Sequence, residues 1–262
     1  MSEGEAHVSA ILVAPVKGLR ALPREHVELG RSGVRENRRF MLIDAEGRMA
    51  NGKRLATLQA AVAEYDDAGR ALSISLPGRP ALEGPVELGA RLSATMFSTA
   101  LEVDEVLGPF AAALSEHAGT TLRLVEATQP WGAVDRGAQG SASLISTASV
   151  ERVARQLDAD RPLDPRRFRM LFEVDGIPAH AEDAWVGRPL ALGAATILGR
   201  GHVGRCAVTA LDPDSGERDH DTLRALAGYR RGAGTTEPLA CGIYGEVLEP
   251  GSVRVGDAVT PL

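Results

Sequence analysis

The sequence predicts a mostly β protein of the α+β class: two barrel-like β units with a few helices packed on. Three observations carry that expectation. Short apolar runs interrupted by turn residues recur along the 262-residue chain. Glycine and proline are plentiful, at 29 and 15 residues, as many short strands joined by tight turns require. Apolar residues at helical spacing occur in only three places.

The elements follow in order. SAILVAPVKG is an apolar strand broken by Pro15, and HVELGRSGV and RRFMLIDAEGR are the next strands. ALSISLPG alternates cleanly, and PVELGARLSATMF is another strand candidate. VDEVLGPFAAALSEHAG turns to helical spacing and stops at Gly119, its acidic EVDEV run reading as a solvated helix start. TTLRLVEATQPWGAVDRGAQGSA begins as a strand and decays into a polar connection, which places a domain boundary there, giving domains 1–127 and 128–262. Ser146 or Thr147 then caps a helix over ASVERVARQLDAD. DPRRFRMLFEVDG, WVGRPLALGAATILGRG and GRCAVTALD read as strand regions. Asp221 caps TLRALAGYRR, and CGIYGEVLEPGSVRVGDAV supplies a strand, a Pro-Gly turn and a last strand.

Composition narrows the function classes. A net charge of -6 argues against a nucleic-acid surface. The start is acidic and its apolar run strand-sized, so neither signal peptide nor membrane span is expected and the cytoplasm is the default location. Lysine occurs only at Lys17 and Lys53; the other 27 of 29 basic residues are arginine, the better fork for phosphate or carboxylate. Two cysteines form neither a disulfide framework nor a zinc cluster. GRGHVG, Gly199 to Gly204, matches a dinucleotide fingerprint, but a strand rather than a helix is expected after it, so it reads as a turn between strands. Glu182 and Asp183 read as decorating a turn before a core Trp185.

RRFRMLFEVDG, AEDAWVGRPLALG, GRCAVTALDPDSGERD, TLRALAGYRR and YGEVLEPGSVRVGDAV together resemble the MOSC domain, in that order. APVKGLR and ENRRFMLID resemble the β-barrel domain that precedes it in many members. The likeness is strongest to the group of the mitochondrial amidoxime-reducing component and its bacterial counterparts. That resemblance implies a molybdenum cofactor, a pterin-dithiolene complex bound between the halves, and reduction of small N-hydroxylated or N-oxide substrates. Because the chain closes on GDAVTPL without a ferredoxin domain, electrons are expected from a separate ferredoxin-like or flavin reductase partner. A pterin with a phosphate tail needs cationic forks and hydroxyl donors. The resemblance assigns those roles to Lys17, Arg39, Ser146, Thr147, Arg169 and Arg230.

A cysteine thiolate is the expected protein ligand to molybdenum. Relatives carry it after a helix ending Y-R-Q-C, whereas this helix ends Tyr229-Arg230-Arg231-Gly232. Three options stand open: Cys241, expected to be exposed at a loop junction, ligates the metal from downstream; Cys206 serves; or no cysteine does. Cys206 also reads as a packed residue opening a core strand, on which Arg205 and Cys206 face opposite sides. Rival functions are cysteine-persulfide sulfur transfer and a non-catalytic pterin carrier. A pyridoxal phosphate enzyme ranks low, with only two lysines available for a Schiff base.

Overall fold

A computed structural model describes residues 5–157 and 162–262. Its architecture is mostly strands, with three α-helices packed against curled sheets. The largest sheet has eight strands, in the spatial order Val259–Pro261, Pro189–Leu192, Ala195–Gly204, Ala240–Glu249, Ala142–Ser146, Phe172–Asp175, His7–Val13 and Leu22–Arg24. Two of its strands thus come from the start of the chain. The pair Ala142–Ser146 and Phe172–Asp175 is parallel, as a crossover through a helix demands. A second sheet orders Leu88–Met96, Thr99–Val106, Arg123–Ala127, Phe40–Ile43 and Val16–Lys17, with Met49–Ala50 pairing Phe40–Ile43.

Local sequence explains much of this. Phe40–Ile43 is a continuous apolar run and is buried on both faces, whereas Val62–Asp66 and Ala71–Ser75 alternate and bury one. One core gathers Ile11, Phe172, Trp185, Ile197 and Ile243 beneath the large sheet. A second gathers Leu19, Phe40, Leu58, Ile74 and Phe110 in the first half. Helix α1, Phe110–Ala118, stops at Gly119, whose φ of 69° is the left-handed conformation expected of a helix stop. Helix α2, Thr147–Gln156, is capped by Ser146, and α3, Thr222–Arg230, by Asp221; each cap side chain accepts a backbone N–H of the first turn. The last residues of the expected ASVERVARQLDAD helix, 158–160, lie outside the described residues. No helix among the described residues is long and apolar enough to cross a membrane.

Four local expectations are corrected. EVDEV belongs to the strand Thr99–Val106, which pairs on both sides, rather than to a helix start. DPRRFRMLFEVDG is strand only from Phe172; Pro165–Phe168 forms a 3₁₀ turn capped by Asp164, and Arg169 is left-handed. GRGHVG lies within the ten-residue strand Ala195–Gly204 and not in a turn. Its glycines are required by close neighbours: a Cβ at Gly199 would sit 2.3 Å from the Trp185 carbonyl oxygen, and one at Gly201 2.7 Å from the Tyr244 hydroxyl. GRCAVTALD is not a strand; Cys206 opens the 3₁₀ turn Ala207–Ala210.

Candidate functional site

Between the two sheets lies a cavity of 470 Å³ lined from both halves of the chain. Seven cationic side chains face it (Lys17, Arg38, Lys53, Arg136, Arg167, Arg169 and Arg205) against a single carboxylate, Asp135. Both lysines of the chain are among them. Asp135, Glu237 and Asp219 neutralise Lys17, Arg136 and Arg167, so the charge left to meet an entering anion is that of Arg38, Lys53, Arg169 and Arg205.

Backbone kinks aim these groups. Arg38 adopts φ 53°; its N–H donates to Ala14 O at 2.8 Å and its carbonyl accepts from Ala133 N at 2.7 Å. That kink turns Arg38 toward the cavity and Arg39 to the opposite side. Arg39 Nε there donates to Glu126 Oε1 at 2.6 Å, so Arg39 lies outside the cavity. Arg169, also at φ 53°, reaches into the first half: Nη1 donates to Gln59 Oε1 at 3.0 Å and Nη2 to Leu19 O at 2.7 Å. Arg205 is fixed by Nη1 to Phe168 O at 2.7 Å and by Nε to Cys241 O at 2.8 Å. Arg136 pairs with Glu237 and stands 4.4 Å from the Tyr244 ring centroid. Arg167 is a buried fork on Asp219, at 2.7 and 2.5 Å.

The electrostatics match this crowding. Burial, reinforced by Arg38, lowers the Lys17 ammonium to about 8 even though Asp135 pairs with it. Burial likewise brings Arg169 and Arg205 down to about 10, with Arg38 adding to the effect at Arg169 and Arg136 at Arg205. Asp135 stays below the usual carboxylate range: burial opposes this, and Lys17 and Arg38 overcome it.

The cysteines exchange the places expected of them. Cys206 is partly exposed and lines the cavity, with its carbonyl accepting from Thr209 N at 3.1 Å. Because the strand ends at Gly204, the alternation of strand neighbours does not apply, and Arg205 and Cys206 share the cavity. Cys241, expected to be exposed, has no exposure at all; it packs with Ile145, Val153, Phe168 and Leu226, and burial pushes its thiol up to about 12. A ligand role for Cys241 does not fit that packing. Gly232 has φ 76°, and nothing lies within 4 Å of where its Cβ would be.

Three other expected contacts also sit elsewhere. Ser146 is fully buried, its Oγ accepting from Ser149 N at 3.1 Å. The carboxyl at that helix start is Glu182, whose Oε1 accepts from Ser146 N at 3.2 Å and Ser149 Oγ at 2.7 Å. Glu182 is therefore a buried cap partner rather than a turn decoration, and burial raises its pKa. Thr147 Oγ1 donates to Asp175 at 2.8 Å, and Arg230 donates to Asp183 at 2.6 Å and to Ala240 O at 2.9 Å. Of the residues singled out from sequence, Lys17, Arg169 and Cys206 meet in the cavity. Arg38, Lys53, Arg136, Arg167 and Arg205 went unselected; the scarcity of lysine was a signal for Lys53. Among the described residues, no group of three or more His, Cys, Asp and Glu side chains is placed to hold a metal ion.

A mostly β protein with a cavity lined by cationic side chains from both halves of the chain is the class that this geometry defines. Residues 132–260 match the MOSC domain and residues 5–115 the MOSC N-terminal beta barrel domain, so the chain belongs to the MOSC family. It is 26% identical over 292 residues to mitochondrial amidoxime-reducing component 1 of Xenopus laevis, across 96% of this chain and 81% of that protein. It is 34% identical over 119 residues to the molybdenum cofactor sulfurase of Caenorhabditis briggsae, across 44% of this chain but 16% of that protein. Among solved structures, the YuaD protein of Bacillus subtilis is similar at 12% identity and a TM-score of 0.47, covering 98% of this chain and 94% of that one.

Proposed function

We propose that the chain binds a pterin-based molybdenum cofactor in the cavity and reduces N-hydroxylated or N-oxide substrates, with electrons from a separate protein. The observation that carries this reading is a cavity lined by Arg38, Lys53, Arg169 and Arg205, none of which has a carboxylate partner among the described residues, and by a thiol. Its relatives' names, an amidoxime-reducing component and a molybdenum cofactor sulfurase, point the same way.

The residues present fit the group. Arginine forks suit a phosphate bidentately, and Lys17 supplies a buried point charge whose pKa burial lowers although Asp135 pairs with it. Arg169, anchored on Gln59 and Leu19, would offer the cofactor a fixed cation that bridges both halves of the chain. Cys206, the cysteine that lines the cavity, would supply its Sγ as the metal's protein ligand, a soft donor suited to it. When bound, the cofactor supplies a two-electron redox centre that takes oxygen from nitrogen. Lys17 Nζ holds its proton more firmly once an anion lies beside it, and Arg205, fixed by Phe168 and Cys241 carbonyls, orients the wall next to Cys206.

The test is molybdenum and pterin content of protein purified from a host that makes the cofactor. One molybdenum per chain, lost in Cys206→Ser and kept in Cys241→Ser, is the expected result; wild-type protein without molybdenum would sink the reading. Partial exposure of Cys206 among cations also favours a second reading, sulfur transfer through a Cys206 persulfide. That reading predicts a persulfide adduct on Cys206 by mass spectrometry and no bound metal.

A further inference from the structure

The hairpin between Leu88–Met96 and Thr99–Val106 turns through only two residues, Phe97 and Ser98, because Met96 pairs with Thr99. Phe97 adopts φ 57°, where two-residue hairpins take glycine, asparagine or aspartate and where a bulky side chain is strained. Its ring is 58% exposed, so packing does not compensate. Both backbone preference and burial favour glycine at this position, and a phenyl ring stands there instead. Strain of this kind marks functional positions when the surroundings enforce it. Enforcement is visible: the strand leading into the turn is paired along Leu92–Met96, and Thr95 N donates to Gly47 O at 2.8 Å.

The ring is also placed where it could act. Phe97 lines the cavity, the only one of the large exposed apolar residues among the described residues to do so. Lys17 Nζ lies 6.0 Å from its centroid, at the outer limit of a cation–π contact, so that contact does not account for the ring either.

We propose that Phe97 is a specificity-determining residue: its ring is a stacking platform at the cavity rim that selects substrates bearing a flat, conjugated group next to the reacting nitrogen. The identity of the reacting nitrogen rests on the reductase reading above; the preference for a flat ligand does not.

The test uses two N-hydroxylated amidines alike in the reacting group, one carried on a phenyl ring and one on a cyclohexyl ring. Each is titrated calorimetrically into the cofactor-loaded protein and assayed for reduction with a chemical reductant. Wild-type protein should bind the phenyl compound up to about tenfold more tightly, the range of an aromatic stack. Phe97→Ala should erase that preference, raising KM for the phenyl compound while kcat holds, and Phe97→Trp should keep it. Phe97→Gly should melt at a higher temperature than wild type, because strain goes and no packing is lost. Equal binding of both compounds by wild type, a preference that survives Phe97→Ala, or a lower melting point in Phe97→Gly would each overturn the proposal. So would a Phe97→Ala variant that binds normally but turns over slowly only with a protein electron donor, since the ring would then belong to the donor's docking face. A wild-type protein that shows the binding preference yet reduces neither compound would refute the reductase reading alone.

Discussion

Sulfate should bind the cofactor-free protein tightly below pH 8 and progressively more weakly between pH 8 and 10.5. The cause is Lys17, whose ammonium burial lowers from 10.5 to about 8. An anion seated in the cavity restores a partner and draws that value back up. Full restoration would span the whole displacement, roughly 3 kcal/mol at 1.36 kcal/mol per pH unit. Because Asp135 already pairs with the amine, sulfate recovers only part of this, so affinity should fall by at least about 10-fold but by less than the roughly 300-fold of full restoration. Sulfate is the right probe because its own charge is constant there. Isothermal titration in two buffers of different ionisation enthalpy should show proton uptake near pH 8, and Lys17→Met should remove that uptake and leave only the decline near pH 10, where Arg169 and Arg205 lose charge. The sign for folding is opposite to that of an ordinary paired lysine. A lowered folded pKa means that the unfolded chain binds more protons between pH 8 and 10.5, so stability at Lys17 is gained as pH rises through that window. A wild-type sulfate affinity that is flat from pH 7 to 10.5, or one that falls equally in Lys17→Met, would refute the reasoning.

Three further outcomes are expected. A maleimide should label Cys206 in the folded protein and Cys241 only after denaturation, since Cys241 is wholly buried with its thiol at about 12; mass mapping reads this directly. Ser146→Ala should destabilise the protein by about 1–2 kcal/mol in urea melts, because it removes the cap of α2 and takes the Ser146 Oγ partner from Ser149 N and Oγ. Gly216→Ala should cost about 1–2 kcal/mol or more, since Gly216 has φ 79° and an added Cβ would stand 2.0 Å from the Ala56 carbonyl oxygen.

What the sequence made legible was local. Ser146 and Asp221 announce helix starts and Gly119 a helix stop because capping depends on a few neighbouring residues. The region from Gly199 to Ala210 misled because its conformation is set from afar. Gly199 and Gly201 suggest a turn, yet they serve close approach by Trp185 and Tyr244 inside a strand whose pairing with Ala240–Glu249 shifts register three times. The strand therefore ends at Gly204, and Cys206 is released to the cavity. Burial of Cys241 follows from packing by α3, close before it, and by α2, which lies roughly 85 or more positions upstream. Arg38 and Arg39 are chemically alike; only the left-handed kink at Arg38 decides which one faces the cavity.

The strand His7–Val13 also has a consequence in time. Its partner residue Asp175 is made 168 positions after His7. At ribosomal rates of roughly 5–20 residues per second, this apolar segment waits on the order of 10–30 s without its ladder on that side. During synthesis this strand can pair with Leu22–Arg24 at once, while its other edge waits for Phe172–Asp175. Chaperone dependence in the cell should accordingly fall on the nascent chain, before the sequence through Asp175 has emerged.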